Sequence, residues 1–152
     1  MTDLSICILA LNSRDYLRNC LDSIEEFPPE GGYEVLVADN GSDDGTVEML
    51  EQEYPQVRLF RSEQNLGFSI PNNQMLNQAK GEFLLALNPD TKLIEDCFNP
   101  QLKYLRENPG VGICIPKVLN ADGSFQRQSR RGEARPVEVI GYFTGLGKLF
   151  SH

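Results

Sequence analysis

The sequence predicts an α/β fold built on a mostly parallel β-sheet that is flanked by helices. Short apolar runs with the composition of buried strands alternate with longer segments in which apolar residues recur at helical spacing. Alternating strands and helices are typical of parallel sheets, because parallel neighbours need a crossover connection between them. The predicted strands are residues 4–10, 33–38, 57–60, 83–87 and 111–115.

Four helices are expected between these strands, each with a residue that marks its start or its end. Short polar side chains cap first turns, proline fits inside a first turn, and glycine often ends a helix. The expected starts are, in chain order, Asn12 or Ser13 for the first helix, Asp43 or Asp44 for the second, Pro71 in the first turn of the third, and Asn99 with Pro100 for the fourth. Gly81 is expected to end the third helix. The core face expected for the first helix is Tyr16, Leu17, Cys20, Leu21 and Ile24, and that of the second is Val47, Leu50 and Tyr54.

The chain has 152 residues and a net charge of −8, so the acidic balance restricts the class of ligand. Nucleic-acid binders present a basic face to the phosphates, so we expect no nucleic-acid partner. The four cysteines form no C-x-x-C pair and are expected to be buried, reduced thiols, which favours a cytoplasmic location. No apolar run has membrane-spanning length, and the acidic N-terminus does not resemble a signal peptide.

The strand at 33–38 runs directly into Asp39, Asn40, Gly41 and Ser42. Ligands of open α/β sheets bind at the carboxyl ends of the strands, so Asp39 is a candidate acceptor for a base or a ribose. The alternative is a turn with a helix cap, since the same residue types favour both. One cap needs only one such side chain, and the loop also carries Asp43 and Asp44, so the crowding favours a ligand site.

The strand at 83–87 ends in the same way, in Asn88, Pro89, Asp90 and Thr91. One protein carboxylate together with substrate phosphate oxygens is enough to hold Mg²⁺ or Mn²⁺. The alternative is a turn in which Asp90 is only a helix cap. Two acidic strand ends in one small domain together predict a nucleotide with a metal ion on its phosphates.

Two further clusters could contact an anion. Three amides and a glycine surround a predicted helix N-terminus, whose free N–H groups attract negative charge. These residues are Asn65, Gly67, Asn72 and Asn73. A basic segment is either a clamp for a pyrophosphate or a solvated surface. It contains Arg127, Arg130, Arg131 and Arg135.

Other chemistries lack their residues in this sequence. The single histidine is His152, the last residue, which argues against a Ser-His-Asp or Cys-His relay. Neither G-x-x-x-x-G-K-[ST] nor G-x-G-x-x-G occurs, so a P-loop and a dinucleotide site are not supported.

Five motifs in order carry a resemblance to a known family. They are 5–13 (SICILALNS), 37–46 (VADNGSDDGT), 65–68 (NLGF) with Asn72 and Asn73, 87–91 (LNPDT), and 111–124 (VGICIPKVLNADGS). This set resembles the family 2 glycosyltransferases with a GT-A fold, in particular the rhamnosyltransferase-like branch that builds bacterial polysaccharides. The likeness covers nearly the whole chain.

The resemblance implies a nucleotide-diphospho-sugar donor, of the UDP or dTDP type, and a saccharide or lipid-linked acceptor. Asp90 stands in the family's D-x-D metal motif and would hold Mg²⁺ or Mn²⁺, while Asn88 replaces the first Asp of that motif. With Asn88, the implied substrate-binding residues are Ala10, Leu11, Asn12, Asp39, Asn40, Gly41, Asn65, Gly67 and Asn73. A lipid-linked acceptor would bring the protein to the inner face of the membrane.

Family members continue into an acceptor-binding half that carries the catalytic base, and this sequence stops at His152 before it. We therefore expect a donor-binding domain over residues 1–126, followed at 127–152 by an Arg-rich segment and an apolar tail. No residue of the chain is assigned as the base, so weak nucleotide binding and poor transfer are expected. The apolar tail, 136–150, is expected to pack on a second copy of the chain.

Two other functions fit parts of the sequence. One is a non-catalytic, nucleotide-binding or regulatory module on the same scaffold, which mutation of Asp39 and Asp90 would distinguish. The other is a phosphoacceptor receiver domain, which needs an acidic pair after its first strand. Here Asn12 and Ser13 follow that strand, so the receiver domain is disfavoured.

Overall fold

The computed structural model describes residues 2–129, in which four strands alternate with four helices. The elements are β1 (Leu4–Ala10), α1 (Arg14–Glu26), β2 (Tyr33–Asn40), α2 (Thr46–Glu53), β3 (Arg58–Ser62), α3 (Ser69–Gln78), β4 (Phe83–Leu87) and α4 (Phe98–Glu107). A short 3₁₀ turn follows at Arg127–Ser129. The first four predicted strands are confirmed, with β2 and β3 each extending two residues further than expected.

The four strands form one parallel sheet in the order β3-β2-β1-β4. β1 is central and pairs with β2 up to Ala10 and Asp39, and with β4 up to Ile8 and Leu87. Since all four strands run in one direction, their carboxyl ends meet at a single edge. This arrangement confirms the predicted α/β class and brings both acidic strand ends to that edge.

The larger core lies between one face of the sheet and the helices α1, α2 and α4. The helical spacing of α1 buries Leu17, Cys20, Leu21 and Ile24, as predicted. Tyr16 is 65% exposed, so its assignment to the core face was wrong. It lies at the edge of the apolar stripe, where a large side chain with a polar tip can remain in water.

The opposite face of the sheet packs against α3 through a smaller core of Cys7, Leu36, Ala38 and Met75. α3 ends at Gln78, and Gly81 does not cap it. A Cβ on Gly81 would lie 2.5 Å from the Ser5 nitrogen and 2.7 Å from the Leu4 carbonyl carbon. Glycine is therefore needed at position 81 because the backbone passes close to β1.

The predicted fifth strand, residues 111–115, is wrong, because 111–118 carry no strand. Ile113 is 82% exposed and Ile115 is 64% exposed. An apolar run forms a strand only where another strand satisfies its backbone N–H and C=O groups. Composition alone cannot show that such a partner is present.

The described residues fall into two compact units, which divide after Gly112. In the second unit, a turn at residues 120–123 closes a small antiparallel bridge between Leu119 and Phe125. Arg130, Arg131, Arg135 and the apolar tail, with its expected dimer contact, lie outside the described residues. Within residues 2–129, no helix is both long and apolar enough to cross a membrane.

Candidate functional site

Asp39 lies at the carboxyl end of β2 and is 1% exposed. Its Oδ2 accepts hydrogen bonds from the N–H groups of Gly41 at 3.3 Å and Ser42 at 3.2 Å, which forms the predicted turn. Its Oδ1 is buried and accepts no hydrogen bond from the residues that the structure describes. A buried polar atom without a partner is costly, so it points to a donor that a ligand would supply.

The neighbouring Asn40 is 3% exposed, and its side chain is engaged by the loop that precedes α3. Its Nδ2 donates to Asn65 Oδ1 at 2.9 Å and to the Gly67 carbonyl at 3.0 Å, and its Oδ1 accepts from the Leu66 N–H at 2.8 Å. The Asn40 amide thus ties the 65–67 loop to the end of β2. This contact brings the predicted residues Asn65 and Gly67 to the same edge as Asp39.

Gly41 adopts a positive φ of 88°, where glycine is strongly favoured. A Cβ at this position would also meet the backbone of Gln64, at 2.9 Å from its carbonyl carbon. The two loops therefore touch backbone to backbone, and only a residue without a side chain permits the contact.

Asn12, in the loop after β1, is the one non-glycine residue with positive φ among those described, at 47°. Its N–H donates to Ser42 Oγ, and its Oδ1 accepts from the Asp43 N–H, both at 2.9 Å. Asn tolerates the left-handed region better than most residues do. Asn12 therefore joins the first two loops instead of capping α1 as predicted.

The cap of α1 comes from Asp44, thirty residues further along the chain. Asp44 Oδ2 accepts from the Arg14 N–H at 2.9 Å, and Oδ1 accepts from the N–H of Thr46 at 3.1 Å and from its hydroxyl. Partial burial pushes the pKa of the Asp44 carboxyl up, but the hydrogen bonds from Thr46 and Arg14 outweigh it and hold that pKa below its usual value. One ionised carboxylate thus begins two helices.

Ser13, the expected cap, makes no side-chain hydrogen bond to α1. Its Oγ is buried without a partner in the described part of the chain, as Asp39 Oδ1 is. Ser13 follows β1, and the last residue of β1, Ala10, pairs with Asp39. The sequence places Ser13 in the loop after a central strand, a position that suits a ligand contact. The residue type alone predicts only a helix cap.

The second acidic strand end, after β4, forms a tight turn. The Thr91 N–H donates to the Asn88 carbonyl at 3.2 Å, with Pro89 and Asp90 between them. Proline at the second position is typical of such turns. The side chains of Asn88 and Asp90 are exposed. Burial, with a smaller effect from the Asp90 charge, raises the pKa of the Cys20 thiol to about 12.

The possible metal ligands near Asp90 suit a divalent cation that is bound jointly by protein and substrate, and they do not suit a site made of protein ligands alone. Residues 2–129 contain no cluster of three or more His, Cys, Asp or Glu side chains suited to a metal ion. Magnesium is usually coordinated by one or two protein carboxylates, and its remaining ligands are oxygens of water and of substrate phosphates. A single exposed Asp90 fits a cation of that kind.

The predicted residues take different places at this edge. Asp39 and Asp90 lie on opposite sides of β1, and two strand spacings separate their strands by about 10 Å. Ala10 is buried beside Asp39, whereas Leu11 is 42% exposed. Asn73 is exposed on α3, and Asn72 donates to the Phe68 carbonyl at the start of that helix.

The parallel sheet with helices on both faces is a fold of the GT-A type. The crystal structure of S. aureus TarS 1-349 in complex with UDP-GlcNAc matches with a TM-score of 0.62 at 25% identity, over 78% of this chain and 40% of that chain. The family model described as Glycosyl transferase family 2 matches residues 5–150. The chain belongs to this family, and the resemblance seen in its motifs is confirmed.

Two curated relatives show how the chain compares with longer proteins. An uncharacterized glycosyltransferase, YfnE of Bacillus subtilis, is 33% identical over 113 residues, which are 72% of this chain and 29% of that protein. An N-acetylglucosaminyl-diphospho-decaprenol L-rhamnosyltransferase of Mycobacterium tuberculosis is 29% identical over 86% of this chain and 46% of its own length. The chain therefore spans less than half of either relative.

Proposed function

We propose that this chain binds the nucleotide diphosphate of an activated sugar at the carboxyl edge of its sheet. The donor is a UDP- or dTDP-sugar, and the acceptor is a saccharide or a lipid-linked saccharide. The similar rhamnosyltransferase, whose name includes a diphospho-decaprenol acceptor, supports the lipid-linked class. We propose a cytoplasmic location at the inner membrane face, and the burial of Cys7 and Cys20 in separate cores is compatible with reduced thiols there.

The observation that carries this proposal is the orphaned oxygen of Asp39. Its Oδ2 is occupied by two backbone N–H groups, so Oδ1 is the acceptor left for a ligand. Both a base N–H and ribose hydroxyl groups could supply that bond. In this proposal Ala10, Leu11, Asn12, Asn65, Gly67 and Asn73 line the same pocket, and Asn40 and Gly41 shape it.

Asp90 and Asn88 are proposed to face the diphosphate. Asp90 would hold Mg²⁺ or Mn²⁺, and the ion, when bound, would neutralise charge on the departing diphosphate. The exposed amide of Asn88 would hydrogen-bond a phosphate oxygen, because an amide has donors that the Asp of the D-x-D motif lacks.

The transfer is proposed to invert the anomeric carbon. The acceptor oxygen forms its bond to that carbon as the bond to the diphosphate breaks, and a base takes the hydroxyl proton. We assign that base to a residue outside residues 2–129, since Asp90 is needed for the metal and Asp44 is fully used as a cap. Transfer by this mechanism therefore requires at least one residue from outside the described domain.

Calorimetric titration with UDP and dTDP, with and without Mn²⁺, tests the donor site. Binding to wild type is expected to be stronger with Mn²⁺, and Asp90→Ala should remove only that gain. Asp39→Ala should weaken binding under both conditions. The matched controls are Glu95→Ala and Asp43→Ala, which remove the same charge from exposed side chains nearby.

If Asp39→Ala and Asp90→Ala both bind as wild type does, the donor-site proposal is wrong and a different kind of module is favoured. If wild type binds neither nucleotide, the edge of the sheet is not a nucleotide site in this chain. Tighter binding of UDP or of dTDP would identify the base that the site prefers.

A further inference from the structure

We infer that Ser23 of α1 is a positioning residue that sets the orientation of the Asp90 turn. The inference rests on the proposed function, because that turn matters only if Asp90 carries the metal. Ser23 is not in the sheet and follows no strand, so its sequence context does not point to the site. Its role comes from one hydrogen bond that it accepts across the larger core.

Ser23 is 1% exposed, and its hydroxyl both donates and accepts a hydrogen bond. Oγ donates to the Cys20 carbonyl at 2.7 Å and accepts from the Leu93 N–H at 3.0 Å. The bond to the helix fixes where the hydroxyl hydrogen points, which leaves an oxygen lone pair for Leu93. The serine therefore holds the chain where it returns from the turn.

The other end of the turn is held by the same helix, about one helical turn earlier. The Cys20 thiol donates weakly to the Asn88 carbonyl at 3.9 Å, and that carbonyl also accepts the Thr91 N–H. Asn88 and Leu93 thus both contact α1, and Asp90 lies between these two points. With its two ends fixed on one rigid helix, the turn can direct the Asp90 carboxylate consistently toward the sheet edge.

A simpler explanation is that the apolar side chain of Leu93 alone holds the loop. Leu93 is 6% exposed and belongs to the larger core. Apolar burial has little directional preference, whereas a hydrogen bond fixes the angle of the peptide that donates it. Removing only the Ser23 hydroxyl separates the two explanations, because Leu93 keeps its core position.

The test compares Ser23→Ala with Ser5→Ala. Ser5 is also a fully buried serine, and its Oγ makes hydrogen bonds to Glu34, Lys80 and Gly81 at the opposite ends of the strands. The readout is the ratio of UDP affinities with and without Mn²⁺. Ser23→Ala is expected to lower this ratio about fivefold, as expected for one misplaced interaction, while metal-free affinity changes less than about twofold.

Ser5→Ala should keep the wild-type ratio even if it destabilises the fold. If Ser23→Ala also keeps the wild-type ratio, or if both variants lower it equally, the inference is wrong. The ratio is informative because a general loss of stability weakens binding equally with and without the metal and therefore cancels.

Hydrogen exchange of the Leu93 amide gives a second readout that needs neither metal nor nucleotide. In wild type this amide should exchange more slowly than the amides of the exposed residues Lys92 and Ile94, and in Ser23→Ala it should exchange at least about tenfold faster. A fast-exchanging Leu93 amide in wild type would overturn the inference, even if the variant does not fold. If wild type bound no UDP while Leu93 remained protected, the proposed function would fail and the hydrogen bond would stand.

Discussion

The side chain of Asn40 donates a hydrogen bond to the side chain of Asn65 at 2.9 Å, across 25 residues of sequence. Together with its bonds to Leu66 and Gly67, this contact fixes the loop before α3 against the end of β2. The family resemblance implies that Asn40 contacts the donor, whereas the geometry indicates that it organises other residues of the proposed pocket. A residue can thus be essential to a binding site without facing the ligand.

Asn40→Ala should lower the free energy of unfolding by about 2–3 kcal/mol, because the buried Asn40 amide makes three hydrogen bonds to the 65–67 loop and all three are lost. UDP affinity should fall as well, since the 65–67 loop is no longer held. Urea unfolding and calorimetry measure the two effects. Asn72→Ala is the matched control: its side chain donates one bond to the Phe68 carbonyl, and its loss should cost less than about 1 kcal/mol.

Gly41→Ala and Gly67→Ala form a second matched pair. Both glycines have positive φ, at 88° and 76°. An alanine methyl at position 41 would lie 2.9 Å from the Gln64 carbonyl carbon, whereas one at position 67 would face open space. Gly67→Ala should cost about 1–2 kcal/mol from its φ alone. Gly41→Ala should cost at least about 1 kcal/mol more because the two loops must separate.

Thermal or urea unfolding of both glycine variants measures this difference. Equal losses of stability would show that the contact between Gly41 and Gln64 contributes nothing beyond the backbone strain.

Asp39→Asn tests which donor the orphaned oxygen accepts. The folded state should be little changed, within about 1 kcal/mol, because an amide oxygen can still accept from Gly41 and Ser42. The Asn NH₂ group would then replace Oδ1. If a base N–H is the partner, two donors meet and UDP affinity should fall at least about tenfold.

We expect this large loss, measured by calorimetry. A loss below about threefold would instead favour ribose hydroxyls, which can accept as well as donate. Asp43→Asn is the control for the change of charge in the same loop.

Stability should decline in acid partly through Asp44. The pKa of its carboxyl is lower in the folded state than the usual value for Asp, so ionised Asp44 stabilises the fold above that usual pKa. The contribution is lost as the pH falls through the lower, folded-state pKa. Asp44→Asn should therefore show a shallower decrease in unfolding free energy between about pH 5 and about pH 2.

Urea unfolding at several pH values measures this slope. Asp43→Asn is the control, since the backbone N–H of Asp43 joins the loop contacts while its side chain is exposed. A slope in Asp44→Asn equal to that of wild type would contradict the assignment.

Sequence patterns were informative wherever structure is local. Apolar runs bounded by turn residues predicted the four strands, and their shared direction brought Asp39 and Asp90 to one edge. The same reasoning failed for residues 111–115, because a strand depends on a partner that the run itself does not encode. It also assigned Tyr16 inward on helical spacing alone, although a residue beside the stripe can face solvent.

The details of the site depend on contacts distant in sequence, which no local pattern reveals. Asn12 and Ser13 have the residue types of helix caps, but Asp44 supplies the cap of α1 from the second loop. The roles of Asn40 and Ser23 depend on loops 25 and 70 residues away. Such pairings can be found only once the strand order is known.

The hydrogen bonds between Asn12 and Asp43, and between Arg14 and Asp44, have a consequence for the order in which the protein folds. They join segments about thirty residues apart, and parallel strands must already be side by side before they can form. Folding of such non-local contacts is slow, because the chain loses entropy before it gains the contacts. The site should therefore be among the last parts of the protein to fold. A nucleotide that binds only the folded site would stabilise the native state relative to partly folded states.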